Sequence, residues 1–192
     1  MTDLTSREKE LLHMLFAPKS IEKLFKLFPD TTITEWETIY SKLLDRRSKA
    51  VNLVLYVDGS SDPERKTAGI GGILYQVNEG KKEEKELLTF SENIGKATNN
   101  VAEYSALIKG LQYAHQLNGD QITIYSDSEL MVRQLNLDYK VRSDHLLRLY
   151  NKATALLNGL KSWSIHHIPR SQNRKADNLS SIALKKQKEG GL

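Results

Sequence analysis

The sequence predicts an α/β protein built on a mixed β-sheet and preceded by a small helical segment. Residues 51–57 are β-rich and mostly apolar, as expected for a buried central strand. Two more strand-like stretches follow at 68–77 and 85–94, and helical and strand-like periods alternate from residue 99 onward. Three strands followed by alternating helices and strands indicate a sheet whose edge strands are antiparallel.

The first 49 residues have the pattern of three short amphipathic helices. Thr5 or Ser6 can cap the first helix, Ser20 can cap the second, and Thr34 opens the third. A proline ends each of the first two. The apolar residues that recur at helical spacing and can bury a small core are Leu11, Leu12, Leu15, Phe16, Ile21, Leu24, Phe25, Phe28, Trp36, Ile39, Tyr40, Leu43 and Leu44.

Residues 50–186 carry the elements of the predicted sheet domain. Glycines 69, 71 and 72 lie near the start of the second strand, and residues 79–84 form the predicted turn to the third. The later predictions are helices at 99–117, from 128, at 143–157 and at 173–186, with strands at 122–126 and 163–168. Residues 187–192 are predicted to be a disordered tail.

The composition excludes several classes of protein. Of the 192 residues, 39% are apolar and 27% charged, which is typical of a globular protein. Cysteine is absent, so disulfides and thiolate metal sites are excluded. No apolar run approaches the roughly 20 residues that cross a bilayer, and residues 1–10 lack the core of a signal peptide. We therefore expect a cytoplasmic protein without a membrane partner.

The net charge of +4 is compatible with a polyanionic partner but does not establish one. The distribution of charge is more informative, because residues 161–188 contain seven lysines and arginines and one acid, Asp177. A single carboxylate among cations suggests that this acid has a specific task. A solvated helix face would give the same pattern.

Four acidic residues occupy positions that solubility does not explain. Asp58 directly follows the first predicted strand, and Asp127 follows the fourth. Glu103 lies one turn into the helix that starts near residue 99, and Asp177 lies near the start of the last helix. Functional groups in α/β sheets gather at the carboxyl ends of strands, so these four side chains could converge.

Four neighbouring carboxylates repel one another unless cations neutralise them. Oxygen ligands suit hard cations, so we expect Mg²⁺ or Mn²⁺. Two such ions, roughly 3.5–4 Å apart, can activate a water and stabilise the leaving oxygen in phosphodiester cleavage. Taken singly, each acid also has an ordinary interpretation as a turn residue, a helix cap or a solvated side chain.

The order of these motifs resembles the type 1 ribonuclease H family. The resemblance covers about residues 50–184 and rests on an Asp-Gly-Ser after the first strand, a glycine-rich second strand, Thr-Asn-Asn before a helical Glu, a Ser-Asp-Ser after the fourth strand and an Asp in the last helix. The corresponding stretches are 56–60, 69–74, 98–103, 125–128 and 173–179.

The resemblance implies a ribonuclease H-like fold with strand order 3-2-1-4-5 and helices on both faces. It also implies two-metal hydrolysis of the RNA strand in RNA–DNA hybrids, with Asp58, Glu103, Asp127 and Asp177 as catalytic metal ligands.

The resemblance further implies contacts to the hybrid. Gly59 and Ser60 would border the RNA backbone, and Asn99 and Asn100 would lie along the minor groove. Asparagine side chains and backbone amides can bond the 2′-hydroxyls that distinguish a hybrid from DNA. Asn99 could equally be a helix N-cap.

Two departures from the family pattern affect these assignments. Residues 135–142 are too few for the basic, Trp-rich protrusion of larger members, so affinity for a hybrid would come from elsewhere. The segment 168–173 resembles a shorter subgroup with Pro-Arg-x-x-Asn in place of a loop histidine. Arg170 is therefore expected to approach a phosphate, or to be a surface charge beside Asp177, and His167 is a candidate auxiliary residue.

The role of residues 1–49 stays open. Residues 1–50 contain nine basic and eight acidic residues, which favours packing, docking or dimerisation over direct nucleic-acid binding. Two alternative functions are compatible with the chain as a whole: a nuclease of related fold that acts on another nucleic acid, and a non-catalytic hybrid-binding protein.

Overall fold

The structure, a computed structural model, describes residues 51–77 and 84–185 together with Thr5, Arg7, Thr32 and Glu35. The chain divides into two units, Met1–Lys49 and Ala50–Leu192. The three helices predicted in the first 49 residues and the tail predicted at 187–192 lie outside the described residues, as does the turn predicted before Glu84.

A five-stranded sheet forms the centre of the second unit. Its strands are β1 (Asn52–Asp62), β2 (Thr67–Val77), β3 (Glu84–Gly95), β4 (Gln121–Ser126) and β5 (Ser162–His167). The strand order is β3-β2-β1-β4-β5. The pairs β1–β2 and β2–β3 are antiparallel, whereas β1–β4 and β4–β5 are parallel. The predicted mixed sheet and its strand order are confirmed.

Four helices accompany the sheet: α1 (Asn99–Gln116), α2 (Glu129–Leu135), α3 (Asp144–Asn158) and α4 (Arg174–Lys185). Thr98 caps α1 by accepting a hydrogen bond from the Val101 N–H, and Ser143 caps α3 in the same way. Asn99 is thus the first residue of α1 and not its cap. A short 3₁₀ turn, Arg170–Gln172, leads into α4.

The central strand β1 separates two packed layers. Leu53, Leu55 and Val57 are buried on the face that α1 covers, where a side chain at Gly110 would collide with Leu55. The opposite face carries Asp58 and is covered by α4. Successive side chains of β1 point to opposite faces of the sheet, so Leu53, Leu55 and Val57 face α1 and Asp58 faces α4.

The first strand is longer than the sequence predicts, and this corrects the predicted place of Asp58. Strand β1 continues to Asp62, so Asp58 lies within the strand and pairs with Gly71 instead of following the strand end. The reason is the hairpin with β2, whose antiparallel pairing runs to Asp62 and Thr67. In this hairpin Ser60 pairs with Gly69 and Asp58 pairs with Gly71.

In the part of the chain that the structure describes, no helix has the length and apolar character needed to cross a bilayer.

Candidate active site

Asp58 and Glu103 form the buried centre of the candidate site. Both are nearly inaccessible, with exposed fractions of 4% and 5%. Asp58 is held by the central strand, and Glu103 lies on the second turn of α1. Acidic residues are almost never this buried unless they are paired or bind a metal, so both positions point to function.

Gly59 allows α1 to approach the central strand at this point. A Cβ at Gly59 would collide with the backbone of Ala102 and Glu103. The close approach lets the Gly59 N–H donate a hydrogen bond of 3.2 Å to Oε2 of Glu103. The glycine that follows Asp58 therefore orients the neighbouring carboxylate through its backbone.

Two hydroxyl groups bond the carboxylate of Asp58. Ser60 Oγ donates to Oδ2 over 3.2 Å, and Ser180 Oγ donates to the same oxygen. The two hydroxyl oxygens are also 2.8 Å apart. The carboxylate of Asp58 is thus held from its own strand and from α4.

Asp127 follows β4 directly and accepts a hydrogen bond from the side chain of Asn173. The Nδ2 group of Asn173 lies 2.6 Å from Oδ1 of Asp127 and 2.9 Å from the carbonyl oxygen of Val57. Asn173 is itself 1% exposed. This one amide links the end of β4, the central strand and the start of α4.

Asp177 lies in the first turn of α4 and pairs with Arg170. The Arg170 Nε donates to Oδ1 of Asp177 over 2.9 Å, and Nη2 donates to the same oxygen. The arginine side chain is 72% exposed and the aspartate 27% exposed, so the pair lies at the open side of the site. A pair this exposed contributes little to stability.

The electrostatics show that the four acids are near one another. Burial is the largest cause that raises the pKa of Glu103, and together with the charges of Asp58 and Asp127 it brings that pKa to about 9. The Gly59 N–H and the charge of Arg170 act in the opposite direction.

The pKa of Asp58 is raised as well, first by burial and then by the charges of Asp127 and Asp177. Hydrogen bonds from Ser180 and Ser60 partly offset this effect. Ionising Asp58 or Glu103 is therefore unfavourable while no cation is near, because both carboxyls are buried and lie close to other acids.

The residues present fit a hard divalent cation by their chemistry. All four candidate ligands offer carboxylate oxygens, and the mutual repulsion of the acids, which contributes to the raised pKa values of Asp58 and Glu103, would be relieved by a bound cation. Among the described residues, no three acidic or histidine side chains are already arranged as a metal site. Asp127 and Asp177 are instead turned to Asn173 and Arg170.

The residues predicted to contact a hybrid lie around this centre. Asn99 and Asn100 are exposed at the N-terminal end of α1, one turn before Glu103. Ser60 is half-buried beside Asp58. His167 is exposed at the end of β5, and its backbone pairs with Ser126, next to Asp127.

The sequence alone assigns no site role to Asn173 or Ser180, which the structure places beside Asp127 and Asp58. Asn173 was part of the motif before Asp177, and its burial with two hydrogen bonds reveals a structural task. Ser180 is a fully buried polar residue between Ala176 and Ala183 on one helix face. That polar residue on an otherwise apolar face is the signal in the sequence that could have identified it.

Residues 56–183 match the protein family described as reverse transcriptase-like. The chain is 37% identical over 129 residues to ribonuclease HI of Halobacterium salinarum, covering 67% of this chain and 62% of that protein. It therefore spans about three fifths of that curated relative, and only 36% of the bifunctional protein Rv2228c of Mycobacterium tuberculosis, to which it is 34% identical.

Solved structures of ribonucleases H are also similar to this chain. The crystal structure of RNase H1 from Halobacterium salinarum superposes with a TM-score of 0.64 at 34% identity, covering 70% of this chain and 98% of that one. The N-terminal RNase H domain of Rv2228c superposes with a TM-score of 0.65 at 34% identity, covering 71% and 95%. LC11-RNase H1, crystallised in complex with an RNA/DNA hybrid, gives a TM-score of 0.61 at 33% identity, covering 69% and 96%.

Proposed function

Since the chain belongs to the type 1 ribonuclease H family, we propose that it is an endonuclease that hydrolyses the RNA strand of RNA–DNA hybrids. The observation that carries this proposal is the buried pair Asp58 and Glu103, with Asp127 and Asp177 near enough to raise the pKa of Asp58. The similarity to a relative crystallised with an RNA/DNA hybrid supports the choice of substrate.

Enzymes of this family generally use divalent metal ions. We propose that two ions, Mg²⁺ or Mn²⁺, are held by Asp58, Glu103, Asp127 and Asp177. A two-ion centre supplies an activated water and stabilises the leaving oxygen of the phosphodiester.

The chain's own residues prepare the centre for these ions. With a pKa of about 9, Glu103 keeps its proton near neutral pH, and a bound cation would favour the ionised carboxylate. The Gly59 N–H orients the resulting carboxylate. Asp127 and Asp177 are more accessible, and their carboxylates, which accept bonds from Asn173 and Arg170, would complete the set of ligands that holds the ions.

The surrounding residues would recognise the hybrid. Asn99 and Asn100 are exposed at the N-terminal end of α1, where they can reach 2′-hydroxyls and groove edges. Gly59 and Ser60 would border the RNA backbone. Arg170, once released from Asp177, offers a planar fork of donors to a phosphate, and His167 would act in an auxiliary role.

The decisive experiment compares matched, end-labelled RNA–DNA, RNA–RNA and DNA–DNA duplexes with Mg²⁺, with Mn²⁺ and with chelator. We expect metal-dependent cleavage of the RNA strand in the hybrid alone. Asp58→Asn and Asp127→Asn should each lower kcat at least about 100-fold, because a metal ligand contributes several kcal/mol to the transition state.

Asp62→Asn is the matched control, since it makes the same change on the same strand four residues further along. It should leave cleavage unchanged. Full activity in Asp58→Asn would contradict the proposed site. Cleavage of the DNA duplex would favour a related nuclease with another substrate, and binding without turnover at any metal concentration would favour a non-catalytic hybrid-binding protein.

We also propose that residues 1–49 form a docking or dimerisation element and not a direct nucleic-acid contact. Nine basic and eight acidic residues in the first 50 leave the segment almost neutral. Light scattering of the chain with and without this segment tests for dimers. A loss of hybrid affinity with no change in mass or in protein binding would contradict the proposal.

A further inference from the structure

Ser180 is a polar residue at a place where an alanine would serve packing equally well. It is fully buried in the middle of α4, and its neighbours on the same helix face, Ala176 and Ala183, are fully buried as well. Serine in a helix interior is less favourable than alanine. Its hydroxyl is therefore the feature that needs an explanation.

That hydroxyl reaches a buried carboxylate across the interface between helix and sheet. Ser180 Oγ donates to Oδ2 of Asp58, and it lies 2.8 Å from Ser60 Oγ and 2.9 Å from the carbonyl oxygen of Asp177. A hydroxyl has one proton to donate, and a charge-assisted bond to a carboxylate is stronger than one to a backbone carbonyl. The hydroxyl of Ser180 accordingly donates its proton to the hydrogen bond with Asp58 and not to the carbonyl oxygen of Asp177.

Close packing of α4 on β2 makes this contact possible. A Cβ at Gly71 would collide with the backbone nitrogen of Ser180 and would lie 2.7 Å from the carbonyl oxygen of Ala176. A Cβ at Gly69 would collide with the carbonyl oxygen of Ser180. Gly71 is also the strand partner of Asp58. The glycines of β2 thus bring the helix backbone within reach of the aspartate.

Both serine hydroxyls bond the same oxygen of Asp58. Oδ2 accepts from Ser180 and from Ser60, whereas Oδ1 is not an acceptor in any hydrogen bond between described residues. A carboxylate tethered through one oxygen cannot rotate freely, and its other oxygen keeps a defined direction. That is the arrangement by which neighbouring groups orient a metal-binding carboxylate.

We propose that Ser180 is a positioning residue for the metal centre: it holds Oδ2 of Asp58 so that Oδ1 is presented to a divalent cation. This inference rests on the proposed function in one respect only, that Asp58 is a cation ligand. Helix α4 then contributes twice, through the carboxylate of Asp177 and through the hydroxyl of Ser180.

The test compares Ser180→Ala with Ser181→Ala in the full chain. Both changes replace a serine of α4 by alanine, but Ser181 is only partly buried and lies outside the helix face formed by Ala176, Ser180 and Ala183. Mn²⁺ affinity is measured by calorimetry without any hybrid. We expect binding by Ser180→Ala to be weaker by roughly 10-fold, the effect typical of removing an orienting partner of a metal ligand, and binding by Ser181→Ala to be unchanged.

Cleavage kinetics and thermal unfolding complete the test. In Ser180→Ala we expect kcat to fall at limiting Mn²⁺ and to recover as Mn²⁺ is raised, with KM for the hybrid unchanged and no loss of melting temperature in chelator. Mn²⁺ affinity within twofold of the unchanged protein, or an equal loss in Ser181→Ala, would overturn the role of Ser180 even if the hybrid is cut. If the unchanged protein neither binds Mn²⁺ nor cuts the hybrid, the proposed function fails as well.

Discussion

Glu103 illustrates how the fold changes the chemistry of a single carboxyl. With 5% exposure and with Asp58 and Asp127 nearby, the pKa of Glu103 rises from 4.5 to about 9. The folded chain without metal ions therefore keeps a proton on Glu103 that the unfolded chain loses above about pH 4.5. Because the unfolded state binds fewer protons at this group than the folded state between these two values, the contribution of Glu103 to stability falls as pH rises from about 5 to about 9.

We therefore predict that Glu103→Gln stabilises the protein in chelator at pH 8. Glutamine has the same shape and cannot ionise, so folding no longer requires that a carboxyl ionised in the unfolded chain take up a proton. The gain should be about 1–3 kcal/mol at pH 8 and close to zero at pH 5. Urea unfolding at both pH values measures it.

Glu129→Gln is the control for this prediction. Glu129 is 56% exposed and pairs with Arg133 on the surface, so its loss should not stabilise the protein at either pH. A Glu103→Gln protein no more stable than the unchanged one at pH 8 would show that the fold does not disfavour the charged form of Glu103. Under the proposed function, added Mg²⁺ or Mn²⁺ should reverse the ranking, because glutamine lacks the negative charge that a divalent cation favours in a ligand.

At the scale of elements, the second strand determines how closely α4 can approach the sheet. Gly69 and Gly71 face the backbone of Ser180, with no space for a side chain at either position. Because α4 packs this close to the sheet, Asp177 and Ser180 lie beside the central strand. Small residues at a helix–sheet contact thus decide whether distant carboxylates can form one site.

Gly71→Ala should lower the free energy of unfolding by about 1–3 kcal/mol, because the added methyl forces α4 away from β2. It should also weaken Mn²⁺ binding, since the same shift withdraws Ser180 from Asp58. Urea unfolding and Mn²⁺ calorimetry measure the two effects.

Gly95→Ala provides the comparison for that change. No atom lies within 4 Å of the added Cβ, and its φ of +74° makes alanine locally strained at a cost of about 1 kcal/mol. Its Mn²⁺ affinity should be unaffected. Equal Mn²⁺ affinity in Gly71→Ala and Gly95→Ala would contradict the dependence of the site on helix packing.

At the scale of the whole molecule, the second unit contains the sheet, a contiguous apolar core and all four candidate metal ligands. The core runs from the faces of β1 and β4 to α1 and α3, with Leu55, Leu107 and Leu157 fully buried. A unit with its own core is expected to fold by itself.

A fragment comprising residues 50–192 should therefore unfold cooperatively and cleave an RNA–DNA hybrid at a rate comparable to that of the full chain. Circular dichroism during heating and the labelled-hybrid assay check the two statements. A fragment that is unfolded, or folded but unable to cleave while the full chain is active, would show that residues 1–49 are needed for the catalytic unit itself.

The sequence by itself determined the elements of the second unit and their order, because hydrophobic period and capping residues are local properties of the chain. It also identified Asp58, Glu103, Asp127 and Asp177 as candidates, since an acid directly after a buried strand, in an uncharged helix start or alone among basic residues is unusual. The family resemblance supplied the strand order, which local patterns leave undetermined.

Only the tertiary structure decided how these residues are held. The hairpin with β2 placed Asp58 inside a strand, and the packing of α4 brought Ser180 to an aspartate 122 positions away. Asn173 likewise meets the central strand 116 positions from Val57. Such contacts depend on the distance between helix α4 and the sheet. That distance is set by the side chains of several packed elements together, and no single stretch of sequence contains all of them.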